Sequence, residues 1–217
     1  MLSTRELSKP RIIKNVLSKN EINLLIDVTQ EAQKYDHKSF ISTWWGRITT
    51  NIDVPKEIKE KFHSIAKEYD PNIFETNHNS FTYSGKYGKH TSLSPHQDQG
   101  GNEELFLDYQ VRSNISWPLY VEGEKFVLED NDILVFGGTS YVHWREEKFL
   151  TEDEYVQMFD ICYARPGYQE GFILGKNRYE DDLANRMDEA LKLYNPSIDV
   201  WACVSSDQKD HSRCSHD

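Results

Sequence analysis

The stretch NDILVFGGTSYVHWRE, residues 131–146, holds two β-prone runs separated by a glycine pair. In YVHWRE the two-residue period of a strand sends His143 and Arg145 to one face, and Val142 and Trp144 to the other. If Trp144 packs outward under a helix, His143 and Arg145 face inward. An inward guanidinium is costly unless an anion meets it. The expectation is an anion inside the fold, either a bound group or a bridge to Glu146, Glu147 or another acid.

Working outward, FETNHNSFTYSGKY from residue 74, QVRSNISWPLYV, EKFVLE and YVQMFDICYA are short runs rich in β-branched and aromatic residues. Strands this short and this frequent predict a sandwich or barrel. LEDNDI is expected to close a tight hairpin and FGGTS to form another turn. Upstream, Ser18 caps a helix and Glu21 completes a capping box ahead of Ile22, Leu25, Ile26 and Ala32. A second helix starts at Pro55 and carries Ile58, Phe62, Ile65 and Ala66 on one stripe. Between them SFISTWWGRITTN reads as extended, with the Trp44–Trp45 pair expected as core in preference to a substrate wall. Beyond Gly167, RYEDDLANRMDEALKLY is helical, with Leu183, Met187, Ala190, Leu191 and Tyr194 on one face before Asn195-Pro196 stops it. The fold class expected is mainly β with flanking helices. A chain of 217 residues fits one domain: a helical part over 1–73, a β core over 74–166, a C-terminal helix within 167–204 and a disordered polar tail over 205–217.

Five Trp, twelve Tyr and ten Phe are too many aromatics for a disordered chain. A net charge of -11 disfavours phosphate backbones and anionic membranes, so neither nucleic acid nor membrane is an expected partner. Charges and Pro10 interrupt the N-terminal MLSTRELSKPRIIKNVL, which therefore lacks the apolar core of a signal peptide, and a cytoplasmic protein is expected. Cys162, Cys203 and Cys214 lack C-x-x-C spacing and suit neither a disulfide framework nor a zinc ribbon.

A second stretch carries the chemistry. LSPHQDQGG, residues 93–101, places His96 and Asp98 one residue apart. Alone the pair decides little; with an inward His143 it completes two imidazoles and one carboxylate, the ligand set of non-haem iron(II) oxygenases. In their order, PHQD, NDILVFGGTSYVHWRE and VQMFDICYA resemble the iron(II)/2-oxoglutarate-dependent oxygenases, in particular small bacterial or prolyl-hydroxylase-like members with an H-W-R-E segment.

That resemblance implies a double-stranded β-helix core of the jelly-roll, cupin-like kind over residues 75–165. It also implies iron(II) held by His96, Asp98 and His143, with 2-oxoglutarate and dioxygen consumed and succinate and carbon dioxide released. The implied outcome is hydroxylation of a C–H bond in a small-molecule or amino-acid-like substrate, with ascorbate as a stimulant. Asp98 itself argues for oxygen transfer, because related halogenases carry a small residue there. The family's usual basic anchor for the distal carboxylate of 2-oxoglutarate is missing: Glu152, Asp153 and Glu154 fill its positions. Arg145 is the expected substitute, Arg112 the second candidate and Arg165 the third, with the Tyr83 hydroxyl as a further contact. QDQGGNEELFLDYQ is expected to form a lid hinged at Gly100-Gly101. Two other readings stay open: a cupin-like metal dioxygenase or isomerase that does not use 2-oxoglutarate, and a non-catalytic β-barrel binding module.

Overall fold

The computed structural model describes residues 8–88, 90–98, 103–168 and 183–194; the Gly100-Gly101 hinge and the 205–217 tail lie outside them. Eleven strands among these form two antiparallel sheets. They are β1 (Arg11–Ile13), β2 (Ser39–Ser42), β3 (Arg47–Thr50), β4 (Phe74–Ser84), β5 (His90–His96) and β6 (Leu105–Ser113), followed by β7 (Leu119–Val121), β8 (Glu124–Phe126), β9 (Ile133–Phe136), β10 (His143–Phe149) and β11 (Tyr155–Ala164). The larger sheet runs β1-β9-β6-β11-β4-β3-β2 and the smaller β5-β10-β7-β8. With three flanking helices, this resembles a jelly roll.

Strand alternation sorts the larger sheet into a helix-facing and a site-facing side. Leu107 and Tyr109 of β6 and Phe159, Ile161 and Tyr163 of β11 pack beneath two helices, α1 (Lys19–Ala32) and α2 (Lys56–Lys67). The helices meet them with Leu25, Ala32, Ile58, Phe62 and Ala66, the stripes that helical spacing predicts. The capping box at α1 is present: Ser18 N donates to Glu21 Oε2 at 2.7 Å and Glu21 N to Ser18 Oγ at 3.4 Å. Residues of opposite parity, Phe106, Asp108, Met158 and Asp160 among them, line the space between the sheets.

The smaller sheet is covered outside by α3 (Leu183–Leu193). Trp144 is fully buried there against Ala190 and Tyr194, and its ring stacks on Tyr120 at 5.4 Å. The parity of YVHWRE is thereby realised: Trp144 faces the helix, while His143 and Arg145 face the other sheet.

Four sequence expectations need correction. LEDNDI is no hairpin, because β8 pairs with β7 in the smaller sheet and β9 with β6 in the larger. It is a tight turn between sheets, with Asn131 at φ 72 and Asp132 N donating to Glu129 O. The LFLDYQ part of the expected lid is the first two-thirds of β6, a central strand, and its Leu105, Leu107 and Tyr109 are fully buried. Trp45 is not core: it is 37% exposed and lines the inter-sheet cavity. Finally, HTSLSPH, which lies outside the β-prone runs quoted above, is strand β5, an edge strand in which Pro95 is tolerated.

Candidate metal centre and its cavity

Antiparallel register brings the two distant halves of the site together. His143 of β10 pairs directly with His96 of β5, and their imidazole rings lie 4.2 Å apart. Asp98 follows β5 by two residues, and its amide donates to the Gly138 carbonyl at 3.0 Å. Its Oδ1 lies 3.9 Å from Nε2 of His96 and 3.9 Å from Nε2 of His143. One ligand atom from each residue falls within 4.8 Å of the others.

The donors are oriented for coordination. Each imidazole gives its Nδ1–H to the carbonyl two residues earlier, His96 to Ser94 O at 2.7 Å and His143 to Tyr141 O at 3.0 Å. That leaves both Nε2 lone pairs aimed at the common point, the arrangement found around bound metals. Asp98 Oδ2 is buried and has no hydrogen-bond partner. Gly138 makes its position possible, because a Cβ there would collide with Oδ2. Burial first, and then the neighbouring His96, pull the pKa of His143 down to about 3, while burial pushes that of Asp98 up. A neutral imidazole and an unpartnered carboxyl side by side fit a divalent cation, whose charge would reverse the penalty on the carboxylate.

The cavity around these residues, about 340 Å³, has a floor of successive rungs of the larger sheet. Asn77, Cys162, Phe106 and Phe136 form the rung next to the triad, where Phe136 touches the His143 ring edge-on at 5.0 Å. The next rung holds Asn79, Asp160 and Asp108. Beyond it come Phe81 with Met158, then Tyr83 with Val156.

Arg145 lies in this cavity, only 3% exposed, and its anion is a side chain of the chain itself: Nη2 binds Asp108 Oδ2 at 2.8 Å and Nη1 donates to the Trp117 carbonyl. Asp160 faces Asp108, and burial first, then the neighbouring Asp108, raises its pKa well above the usual carboxylate range. Tyr83 also lines the cavity, 3% exposed, with its hydroxyl accepting from Arg47 Nη1 at 2.9 Å. Arg112 is not among the lining residues; its Nε binds Gln157. Arg165 is held by Glu104 and is likewise not in the lining.

Sequence reasoning missed Asp108, Gly138 and Arg47. Asp108 had a signal, an acid at the opposite parity to Leu105, Leu107 and Tyr109. For Arg47 the sole clue was its shared parity with Trp45.

No family model matches the sequence, and no curated protein matches it. Solved structures do match in fold. The non-heme alpha ketoglutarate dependent epimerase SnoN from nogalamycin biosynthesis aligns with TM-score 0.60 at 10% identity, covering 75% of this chain and 80% of that one. A viral collagen prolyl hydroxylase from Paramecium bursaria Chlorella virus-1 aligns with TM-score 0.54 at 9% identity over 74% and 98%. HygX from Streptomyces hygroscopicus, solved with nickel, 2-oxoglutarate and hygromycin B, aligns with TM-score 0.52 at 9% identity over 74% and 84%. What the chain shares with these structures is their fold. The candidate metal ligands are a set of two histidines and one carboxylate.

Proposed function

We propose that this chain is a non-haem iron(II)- and 2-oxoglutarate-dependent oxygenase that hydroxylates a C–H bond of a small-molecule or amino-acid-like substrate. The observation that carries the reading is the convergence of two Nε2 atoms and one Asp98 oxygen, each Nε2 freed by an Nδ1–H tied to backbone. Iron(II) bound there supplies dioxygen activation coupled to decarboxylation of the 2-oxo acid. His96, His143 and Asp98 would hold the ion at the edge of the cavity they line. Phe106, Phe136 and Met158 exclude water from that space. Tyr83, at the far end, offers a hydroxyl to the cosubstrate, and Arg145 offers the N–H groups not taken by Asp108 and the Trp117 carbonyl. Asn77, Asn79 and Glu103 line the triad side and offer polar contacts to the organic substrate.

The deciding experiment is anaerobic addition of iron(II) and 2-oxoglutarate. A weak visible charge-transfer band is expected, absent in His143→Ala, followed by succinate release stimulated by one member of a metabolite panel. A cupin-like enzyme that binds its substrate directly is the second reading, favoured by one observation: the site-facing residues at the start of β11, Val156 and Met158, provide no cation. It requires metal-dependent turnover without succinate. The cytoplasmic placement belongs to the proposal as well; no helix among the described residues is long and apolar enough to cross a membrane.

A further inference from the structure

Two guanidinium groups reach the cavity, and they differ in what they already hold. Arg145 is neutralised by Asp108 at 2.8 Å. Arg47, on β3, has no carboxylate partner among the described residues. Its Nη1 donates to the neutral Tyr83 hydroxyl, and its Nε is buried with no hydrogen-bond partner. A buried cationic N–H left unmet costs free energy, and because the Arg47 side chain lines the cavity, an anion bound there would offset its charge.

The fork is also held in place. Arg47 Cζ lies 4.3 Å from the Trp45 ring centroid and 4.2 Å from that of Phe81, so the guanidinium is fixed by two aromatic faces. The turn that presents it is pinned to the neighbouring strands: Thr91 Oγ1 donates to the Trp45 carbonyl at 2.7 Å and Ser84 N to the Gly46 carbonyl at 3.1 Å. Gly46, at φ 58, packs so closely on the His90 carbonyl that any side chain would clash. Donors fixed before the ligand arrives lose little entropy on binding it.

Position completes the argument. Phe81 lies one rung beyond Asp160, itself one rung beyond the floor beside the triad. Each rung advances two residues, about 6.7 Å, so the guanidinium lies further along the floor than the metal ligands, toward Tyr83. A five-carbon 2-oxo diacid chelated at the triad would meet this guanidinium with its other carboxylate turned along the floor toward Tyr83.

We propose that Arg47, from a strand outside the segments that carry the triad, receives the distal carboxylate of the 2-oxo diacid cosubstrate, with Tyr83 beside it. This rests on the reading under Proposed function. The test compares two probes on the anaerobic iron(II)-loaded chain: 2-oxoglutarate, and 2-oxopentanoate, which has the same chain ending in a methyl group. Affinity is read from the charge-transfer band. The wild type should prefer 2-oxoglutarate by roughly 30-fold, the worth of a charge-assisted pair. In Arg47→Gln that preference should collapse through weaker 2-oxoglutarate binding, with 2-oxopentanoate unchanged within about threefold; Arg47→Lys should restore part of it. Unaltered 2-oxoglutarate affinity in Arg47→Gln overturns the proposal, and so does equal weakening of both probes, which reports lost packing. If the wild type gives no band with either acid, the oxygenase reading fails by itself. Glutarate quenching of tryptophan fluorescence in the metal-free chain then decides whether Arg47 is an anion site: quenching lost in Arg47→Gln supports it, and no quenching in the wild type overturns it.

Discussion

The two ends of the cavity are built in opposite ways. At the triad end each imidazole is oriented by a carbonyl two residues earlier in the chain, and the Asp98 Oδ2 beside them is left without a partner. At the arginine end, Arg145 of β10, Asp108 of β6 and Asp160 of β11 come from three strands; Arg145 bonds Asp108, and Asp160 lies beside that pair with one buried oxygen unpartnered. The first end sets each imidazole by short-range geometry and holds an orphaned carboxylate oxygen; the second is a long-range network in which Arg145 has a carboxylate partner and Arg47 has none among the described residues. The orientation of each imidazole is thus set locally, whereas the meeting of the two histidines and the charge balance of the cavity both emerge from strand register.

This contrast predicts that substitutions at the two ends fail differently. His143→Ala should lose iron(II) affinity by more than the roughly 100-fold that removal of an outer partner costs, and turnover with it, while the chain stays folded; a metal titration with thermal melting checks both. Asp108→Ala should do the reverse. It leaves the buried Arg145 charge unpaired and should cost about 3 kcal/mol in a denaturant titration, whereas Arg47→Gln, at a half-buried position without an ion pair, should cost less than about 1 kcal/mol. Equal losses would erase the distinction between a structural and a waiting arginine.

Gly138→Ala sharpens the triad side further. The new Cβ must displace the Asp98 carboxylate, since the Asp98 amide is bonded to the Gly138 carbonyl, and iron(II) affinity should fall roughly 10-fold with little change in stability. The ends should also answer pH with opposite signs in the metal-free chain. His143 titrates at 6.5 in the reference state and at about 3 when folded. Between these values the unfolded chain binds more protons, so this contribution is complete above 6.5 and falls by up to about 1.4 kcal/mol per unit as the pH drops toward 3. Asp160 is raised from 3.8, so its contribution is complete below 3.8 and is lost as the pH rises through its folded value. Stability-versus-pH curves of His143→Asn and Asp160→Asn, each compared with wild type, separate the two slopes.

The same locality explains what the sequence reveals. The α1 capping box, the stripes of α1 and α2, and the parity that turns Trp144 toward α3 all depend on neighbours within four residues, and each is readable. Strand β5 is obscured by Thr91, Ser92, Ser94 and Pro95, whose polarity suits an edge strand as well as a loop. LEDNDI has the turn chemistry of a hairpin whether its strands pair or part into different sheets. Arg47 takes its meaning from Phe81, Tyr83 and Trp45 meeting around it, and two of those lie more than thirty positions along the chain.

The central claim is that His96, Asp98 and His143 bind one divalent ion through two Nε2 atoms and one carboxylate oxygen. Anomalous diffraction from crystals grown anaerobically with iron(II) tests it most directly. The account predicts a single strong peak per chain within bonding distance of all three residues. A peak that touches only the β5 pair, with the His143 ring turned away, would contradict it.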